Sequence, residues 1–249
     1  MCSFPVKGSR NTRATRPFPR GASRCAGGVM LETLIALPVV LVLGLSVAQW
    51  AFIHEARAVV DHATLMAARA GALNNADMGA MRNAFARAIT PMSLAEPTAT
   101  AFERTFLTRS LPDSRVHLDL RILNPTQEAF IDHARRDRRG RRYLPYRRLE
   151  AASTQPGRRS ALNIQDATLL RVQARYGYEL KVPYANGFIL QAVRAATRWT
   201  NAYSPRERLM LANGRLPILT TATVRMQSRA YAGGQYPRRA DLPRLRDKR

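Results

Sequence analysis

The spacing of apolar and polar residues changes twice along this chain, and each change marks a structural boundary. From Thr33 to Ile53 no residue is charged and most are Leu, Val, Ile or Ala. A helix over Val29–Phe52 has 24 residues and spans about 36 Å, more than the roughly 30 Å hydrocarbon core of a bilayer. This stretch predicts one membrane-spanning helix. Pro38 removes a backbone donor within it, which a membrane helix tolerates with a local kink. Trp50 falls near the far end, where an amphipathic ring favours the interface. From Glu55 the apolar positions thin to a stripe of Ala56, Val59, Val60, Ala63, Ala67 and Ala70 at three- and four-residue steps. The helix therefore continues as an amphipathic rod. Side chains this small admit either the chain's own globular part or a second subunit. Asn74-Asn75 ends the rod.

A second helix begins at Asp77, a good N-cap, with Met78, Met81, Phe85 and Ile89 facing inward, and stops at Pro91. A third covers Thr100–Thr108, with Phe102 and Phe106 on one side. The period then falls to two. Val116, Leu118, Leu120 and Ile122 alternate with His117, Asp119 and Arg121, a half-buried strand closed by Asn124-Pro125. A short helix follows over Gln127–Ala134. Two further strands alternate through Leu170, Val172, Ala174, Tyr176 and Tyr178, and through Ile218, Thr220, Ala222, Val224 and Met226. Between them lies a helix, Ala185–Trp199, with Ile189, Val193 and Ala196 inward. The expected class is α+β: a single N-terminal transmembrane helix continuing as an amphipathic helix, then a small antiparallel or mixed sheet with packed helices. The expected organisation is a basic cytoplasmic leader (1–27), a transmembrane helix (28–54), an amphipathic helical stalk (55–90), an extracytoplasmic α+β domain (91–232) and a disordered basic tail (233–249).

Charge orients this plan. The 249 residues carry a formal net charge of +23. Before Glu32 the leader has six basic residues, Lys7, Arg10, Arg13, Arg16, Arg20 and Arg24, and no acid. Such a flank keeps the N-terminus in the cytoplasm, so the expected location is the inner membrane, single-pass, with the C-terminal domain outside the cytoplasm. Six less than +23 leaves +17, so the rest of the chain is basic as well. Both cysteines, Cys2 and Cys25, lie in the leader, so nothing downstream can form a disulfide or a cysteine-based zinc site. Two other readings of the apolar run stand beside the membrane helix. Ser46-Val47-Ala48 could end a cleaved secretory signal, although the run exceeds the roughly 7–15 residues of such a core. A buried core helix is the other, and the six flanking cations speak against it.

The string Arg24-Cys25-Ala26-Gly27-Gly28-Val29-Met30-Leu31-Glu32, followed by Leu34-Ile35-Ala36-Leu37-Pro38, resembles the TadE-like pseudopilins of the tight-adherence (Flp pilus) secretion machinery. The alanine-rich stretch from Glu55 to Gly71 fits the same pattern. So do Ile122-Leu123-Asn124-Pro125-Thr126 with Glu128-Ala129-Phe130, Tyr176-Gly177-Tyr178-Glu179-Leu180-Lys181-Val182-Pro183, and Ala222–Ser228. Thr33 stands where such prepilins commonly have an aromatic residue. The resemblance implies cleavage after Gly27 by a prepilin peptidase, and a role in pilus assembly rather than catalysis. It implies as partners that peptidase, other pilin-like or assembly-platform proteins, and the bilayer. After such a cut the new amine of Gly28 would lie one helical turn before Glu32, on the same face.

Catalytic patterns are missing from the sequence. It has no phosphate-binding glycine loop, no H-E-x-x-H and no G-x-S-x-G. The histidines, His54, His62, His117 and His133, lack metal-ligand spacing, with His117 expected on the solvated side of its strand. No enzyme, cofactor or metal site is expected. The dense basic stretch Arg135–Arg159 reads as a solvated loop. Arg138, Arg139, Arg141 and Arg142 are its candidate polyanion-binding residues, with Tyr143 and Tyr146 placed to stack on bases. Anionic lipid headgroups near the membrane are the competing ligand. Nucleic acid is the less favoured partner, because the block is expected outside the cytoplasm.

Overall fold

The computed structural model describes residues 26–147, 149–182, 185–199, 204–233 and 235–242. Most of the expected leader and the last seven residues of the expected tail lie outside them. Helix α1, Ala26–Leu73, runs through 48 residues with Pro38 inside it. The chain divides into two compact units, residues 1–44 and 45–249. In the first, every residue from Glu32 to Gly44 is exposed. It forms the start of the one helix, among the described residues, that is long and apolar enough to cross a membrane.

In the second unit the burial of α1 becomes one-sided. Ala56, Val60, Ala63, Ala67 and Ala72 are buried, while Val59 and Ala70 are half-buried. The stripe is thus occupied by the chain's own sheet. Gly71 shows how close the packing is. A Cβ there would meet Met81 Sδ at 2.6 Å and Leu170 Cδ2 at 2.9 Å. The Thr64 hydroxyl donates to Val60 O at 2.8 Å, so its oxygen is left to accept from Thr220 on the sheet. The helix closes where Asn75 and Ala76 adopt φ of 55° and 59° and the Ala76 N–H bonds Gly71 O at 2.8 Å, a left-handed termination that frees the chain to turn.

Helix α2, Met78–Ile89, starts on Asp77, whose carboxylate accepts from the Ala80 N–H at 2.7 Å. Met81, Phe85 and Ile89 are buried as their spacing requires, and Met78 is half-buried. The next helical run is longer than its sequence suggests. It comprises α3 (Ala99–Thr105), a π turn (Phe106–Ser110) and α4 (Leu111–His117). Pro112 has no N–H to donate, and the Leu111 N–H just before it reaches back five residues to Phe106 O. Val116 and His117, expected in a strand, end this helix instead, and Val116 is 73% exposed.

Strand β1, Leu118–Asn124, therefore starts two residues late. It is followed by α5 (Gln127–His133), β2 (Arg135–Arg136), β3 (Arg142–Leu144), α6 (Ile164–Ala167) and β4 (Leu169–Glu179). The chain continues through α7 (Ala185–Trp199), α8 (Pro205–Ala212), β5 (Arg215–Arg225) and β6 (Ala230–Tyr231). Two antiparallel sheets result, β1-β4-β5 and β2-β3-β6. In the first, Leu120, Ala174 and Thr220 are cross-strand neighbours, as are Ile122, Val172 and Ala222. This row faces α1 and α2, and Phe85 meets Tyr176 with ring centroids 5.8 Å apart. The sheet's other face is ionic. Asp119 pairs with Arg206 at 2.8 Å and Arg121 at 3.0 Å, and Arg175 with Glu207 at 3.4 Å. Helix α8, which the sequence reading missed, is held there. Its start is a capping box in which Ser204 and Glu207 satisfy each other's backbone N–H groups. In α7, Ile189 and Val193 are half-buried, whereas Ala196, expected inward, is exposed.

Two stretches expected without structure have it. The basic block contains β2, β3 and a 3-10 turn at Leu149–Ala151, with Leu144 and Leu149 buried. In the expected tail, Tyr236 is 2% exposed and packs on Phe130 at 4.7 Å, and the Gln127 N–H donates to Pro237 O at 3.0 Å. The contact at Gly71 gives a direct test of the core. Gly71→Val should destabilise the protein by about 1–3 kcal/mol through overpacking, read as a lower thermal midpoint of the full chain, whereas Gly44→Val, with nothing within 4 Å of its Cβ, should leave that midpoint unchanged.

Candidate functional site

Two regions stand out, an exposed apolar helix and an arginine–tyrosine face. In the helix, Gly27 and Gly28 occupy the first turn of α1, and Glu32 is exposed further along it. The residues after Glu32 present apolar side chains on every side: Leu34 is 71% exposed, Ile35 64% and Leu43 62%. Full exposure of such side chains to water is unfavourable by roughly 1.5–3 kcal/mol each, so an apolar surround is the natural environment of this stretch. Thr33 satisfies its hydroxyl locally, donating to Met30 O at 3.0 Å.

The second region is built by the small sheet. Arg135, Tyr143 and Tyr231 are cross-strand neighbours, and so are Leu144 and Ala230. Leu144 and Ala230 are buried, so alternation turns Arg135, Tyr143 and Tyr231 outward. Arg141 and Arg229 stand two residues before the tyrosines and lie diagonally over them. The Arg141 guanidinium is 4.2 Å from the Tyr231 ring centroid, and Arg229 is 4.8 Å from that of Tyr143. The two rings are 6.2 Å apart. Arg147 stacks similarly on Tyr146 at 5.4 Å. One carboxylate organises the connecting turn. Asp137 accepts from the Arg139 and Arg141 N–H groups at 2.8 and 2.9 Å and from Arg141 Nε at 3.1 Å. Gly140 completes the turn with φ of 73°, a conformation that glycine adopts without strain.

The four candidate arginines thus divide by role. Arg138 and Arg139 are exposed at the turn and Arg142 is exposed on β3, whereas Arg141 is engaged by Asp137 and Tyr231. Arg142 lies directly across from Arg136. Arg229 and Tyr231 were missed because they come from a strand almost ninety residues downstream. Their one sequence signal is the spacing Arg229-Ala230-Tyr231, which matches Arg141-Arg142-Tyr143.

A cleft of about 400 Å³ lies elsewhere, lined in part by Arg109, Asp113, Tyr176, Lys181 and Arg215. Of its two carboxylates, Glu179 is exposed and lies 3.8 Å from Arg215, whereas Asp113 is fully engaged. Asp113 accepts from the Tyr176 hydroxyl at 2.6 Å, from Arg215 at 2.9 Å and, on its own helix, contacts His117 Nδ1 at 3.0 Å. His117 is thus a half-buried partner of Asp113 on α4, not a solvated strand residue. Burial, with Asp113 beside it, pushes the Tyr176 phenol far above its ordinary range, so Tyr176 stays protonated as a donor. This cluster ties α4 to β4 and β5. Among the described residues, no three His, Cys, Asp or Glu side chains gather to hold a metal ion.

A second carboxylate, Asp132, holds the basic turn near Arg158. Its Oδ2 accepts from the Arg159 N–H at 2.9 Å and from the Ser160 N–H and hydroxyl at 2.7 and 2.8 Å. Desolvation pushes this carboxyl up, but the Ser160 and Arg159 donors, with His133 nearby, outweigh it and hold the carboxyl below the usual carboxylate range. Its stabilising effect is therefore complete above the unfolded value of about 3.9 and is lost as pH falls through the lower folded value. Asp132→Ala should lower stability by about 1–2 kcal/mol at neutral pH. The gap to the parent protein in thermal midpoint should close as the pH is taken below that of free carboxylates. Comparisons with protein-family models, with curated proteins and with solved structures find no match to this chain.

Proposed function

We propose that this protein is a single-pass inner-membrane component of tight-adherence pilus assembly, a TadE-like minor pseudopilin without enzymatic activity. The observation that carries the proposal is the division of α1. From Glu32 to Gly44 the helix is exposed on all sides and almost wholly apolar, and after Leu45 it is buried along one stripe. A helix of this kind suits a membrane at its start and a folded domain at its end. On this reading the basic leader stays in the cytoplasm and the α+β unit lies on the other side of the membrane. Gly27, Gly28 and Glu32 supply the processing pattern, and a prepilin peptidase is the expected enzyme acting on them.

This reading also limits how partners are met. The stripe from Ala56 to Ala70 is covered by the chain's own sheet, so contact with other pilin-like or platform proteins falls to the membrane helix and to the outer surfaces of the α+β unit. Glu32, uncharged neighbours on all sides of it, is a natural partner for an amine, either that of Gly28 after cleavage or that of a neighbouring subunit.

Co-expression with a prepilin peptidase tests the proposal. The wild-type chain should lose residues 1–27, with the product retained in the membrane pellet, and Gly27→Val should keep full mass. An uncut wild-type chain in the presence of an active peptidase would remove the pseudopilin reading. A chain found in the soluble fraction would remove the membrane reading with it.

A further inference from the structure

The β1-β4-β5 sheet has two edges, and they are finished differently. The β1 edge ends irregularly. Its register shifts between Ile122 and Asn124, the Asn124 amide donates to Asp166 O at 2.8 Å, and Pro125 follows. The β5 edge is straight, with every residue from Arg215 to Arg225 paired to β4 in one unbroken register. Just past it the Met226 N–H donates to Thr168 O at 3.2 Å, which continues that register. Bonded and non-bonded pairs alternate along an antiparallel ladder. The even-numbered residues of β5 therefore bond β4, and Pro217, Leu219, Thr221, Thr223 and Arg225 direct their backbone groups away from it. Pro217, with no N–H to lose, falls on an outward position as an edge strand allows. The next outward N–H beyond Arg225, that of Gln227, is taken by Ala72 O at 3.1 Å. Among the described residues, nothing bonds the outward N–H and C=O groups of Leu219, Thr221, Thr223 and Arg225.

Such an edge is a template for a further strand unless charge, proline, a bulge or a covering element blocks it. From Leu216 to Val224 the one blocking residue is Pro217, and no residue is charged. Ile218, Thr220, Thr221, Thr223 and Val224 are β-branched, which favours extended pairing. The flanking side chains select what can pair. On the side facing α1, Ala222 and Val224 are half-buried and offer an apolar margin. On the other side Thr221, Thr223 and Arg225 are exposed, and Arg171 lies directly across from Thr223. Arg121 and Arg175 on that same face have Asp119 and Glu207, whereas Arg171 and Arg225 have no carboxylate among the described residues. A second copy of β5 cannot supply one, because the strand contains no acid and would set arginine near arginine. The strand that matches alternates apolar side chains, beside Ala222 and Val224, with carboxylates, beside Thr223 and Arg225.

We propose that β5 accepts an extended acidic peptide segment of another protein as a fourth, antiparallel strand. The backbone of Leu219, Thr221, Thr223 and Arg225 bonds it, and Arg171 and Arg225 hold its carboxylates. The open stretch from Leu219 to Arg225 spans about 20 Å, room for about seven residues of partner strand. The edge lies wholly within the second unit, so the pairing does not depend on the membrane helix or on cleavage of the leader.

The test uses the full chain in nonionic detergent and a fluorescent peptide of alternating glutamate and valine with glutamate at both ends, its termini blocked. The peptide should bind, with an affinity that falls as salt is raised. In an antiparallel pair the residues that bond Thr221 and Thr223 carry their side chains on the same face as those threonines, so the glutamates supply the N–H groups. Methylating the glutamate nitrogens should therefore abolish binding, whereas methylating the valine nitrogens should leave it within about twofold. A lysine–valine counterpart should not bind. Thr221→Pro, at an outward position like that of Pro217, should weaken binding by about tenfold or more. Arg171→Gln/Arg225→Gln should weaken it by about fivefold and flatten its salt dependence. The methylated peptides need no variant, so they decide the matter even where Thr221→Pro fails to fold. Absence of binding at low salt overturns the proposal, as does equal binding of the two methylated peptides or of the lysine–valine peptide. Self-association of the chain that Thr221→Pro abolishes, without peptide binding, would assign the edge to a second copy instead.

Discussion

The packing of α1 on β4 governs the folded unit. Alanine and glycine on one stripe of the helix bring its backbone close enough that Gly71 has no room for a methyl group beside Met81 and Leu170. That approach is stabilised by dispersion and by the removal of apolar surface from water, and it is fixed in register by a few polar contacts. Thr64 meets Thr220 in the middle, and Gln49 meets Val182 at one end. With the register set, the ends of the unit are set too. The segment after β5 must reach Ala72 and Ala76, and the segment after β4 must return to Gln49. The small sheet and α7 follow from those two attachments.

The same helix passes from exposure on all sides to burial along one stripe, and the change does not fall where hydrophobicity changes. The charge-free run extends to Ile53, but Gln49, inside that run, is completely buried in the folded unit with its carbonyl oxygen taken by a backbone N–H. Ile53 likewise packs at the edge of the core. Gln49 belongs to the folded unit, with its Oε1 taken by the Val182 N–H and its Nε2 buried without a protein partner, although the charge-free run continues past it. The stretch that is exposed on every side is accordingly shorter than 29–52 and ends at Gly44.

What could be read from the sequence follows from how local each determinant is. Amphipathic spacing gave α1 beyond Glu55, α2 and the three long strands, because one face of each is covered by a continuous core. The cap at Asp77 and the Asn74-Asn75 stop were legible for the same reason, since their hydrogen bonds are made within a turn. The failures involve information from elsewhere in the chain. Val116 and His117 alternate like a strand, but Asp113, held by Tyr176 and Arg215 from β4 and β5, also takes His117 and the helix persists. Helix α8 has little apolar periodicity because one side of it is bound by ions to Asp119 and Arg175, although the Ser204–Glu207 box was visible. The basic block looked solvated because its partners are Asp137 within its own turn, Asp132 on the helix before it, and Tyr231 far downstream.

That last case bears on how so basic a chain folds. With 40 Lys and Arg against 17 Asp and Glu, most arginines cannot have a carboxylate of their own, and repulsion among them opposes compaction. The structure concentrates its acids where a carboxylate can serve several donors at once: Asp113 takes Arg215 and the Tyr176 hydroxyl, Asp119 takes Arg206 and Arg121, and Asp137 takes a whole turn. Where acids run out, tyrosine faces take over, and the guanidinium groups lie flat on rings that ask for no charge in return. The two solutions have different consequences. A carboxylate cancels the charge it binds and removes it from the surface field. A ring orients the cation and leaves its charge undiminished. The outward side of β2-β3-β6 is built mostly by the second means, so its positive potential survives folding.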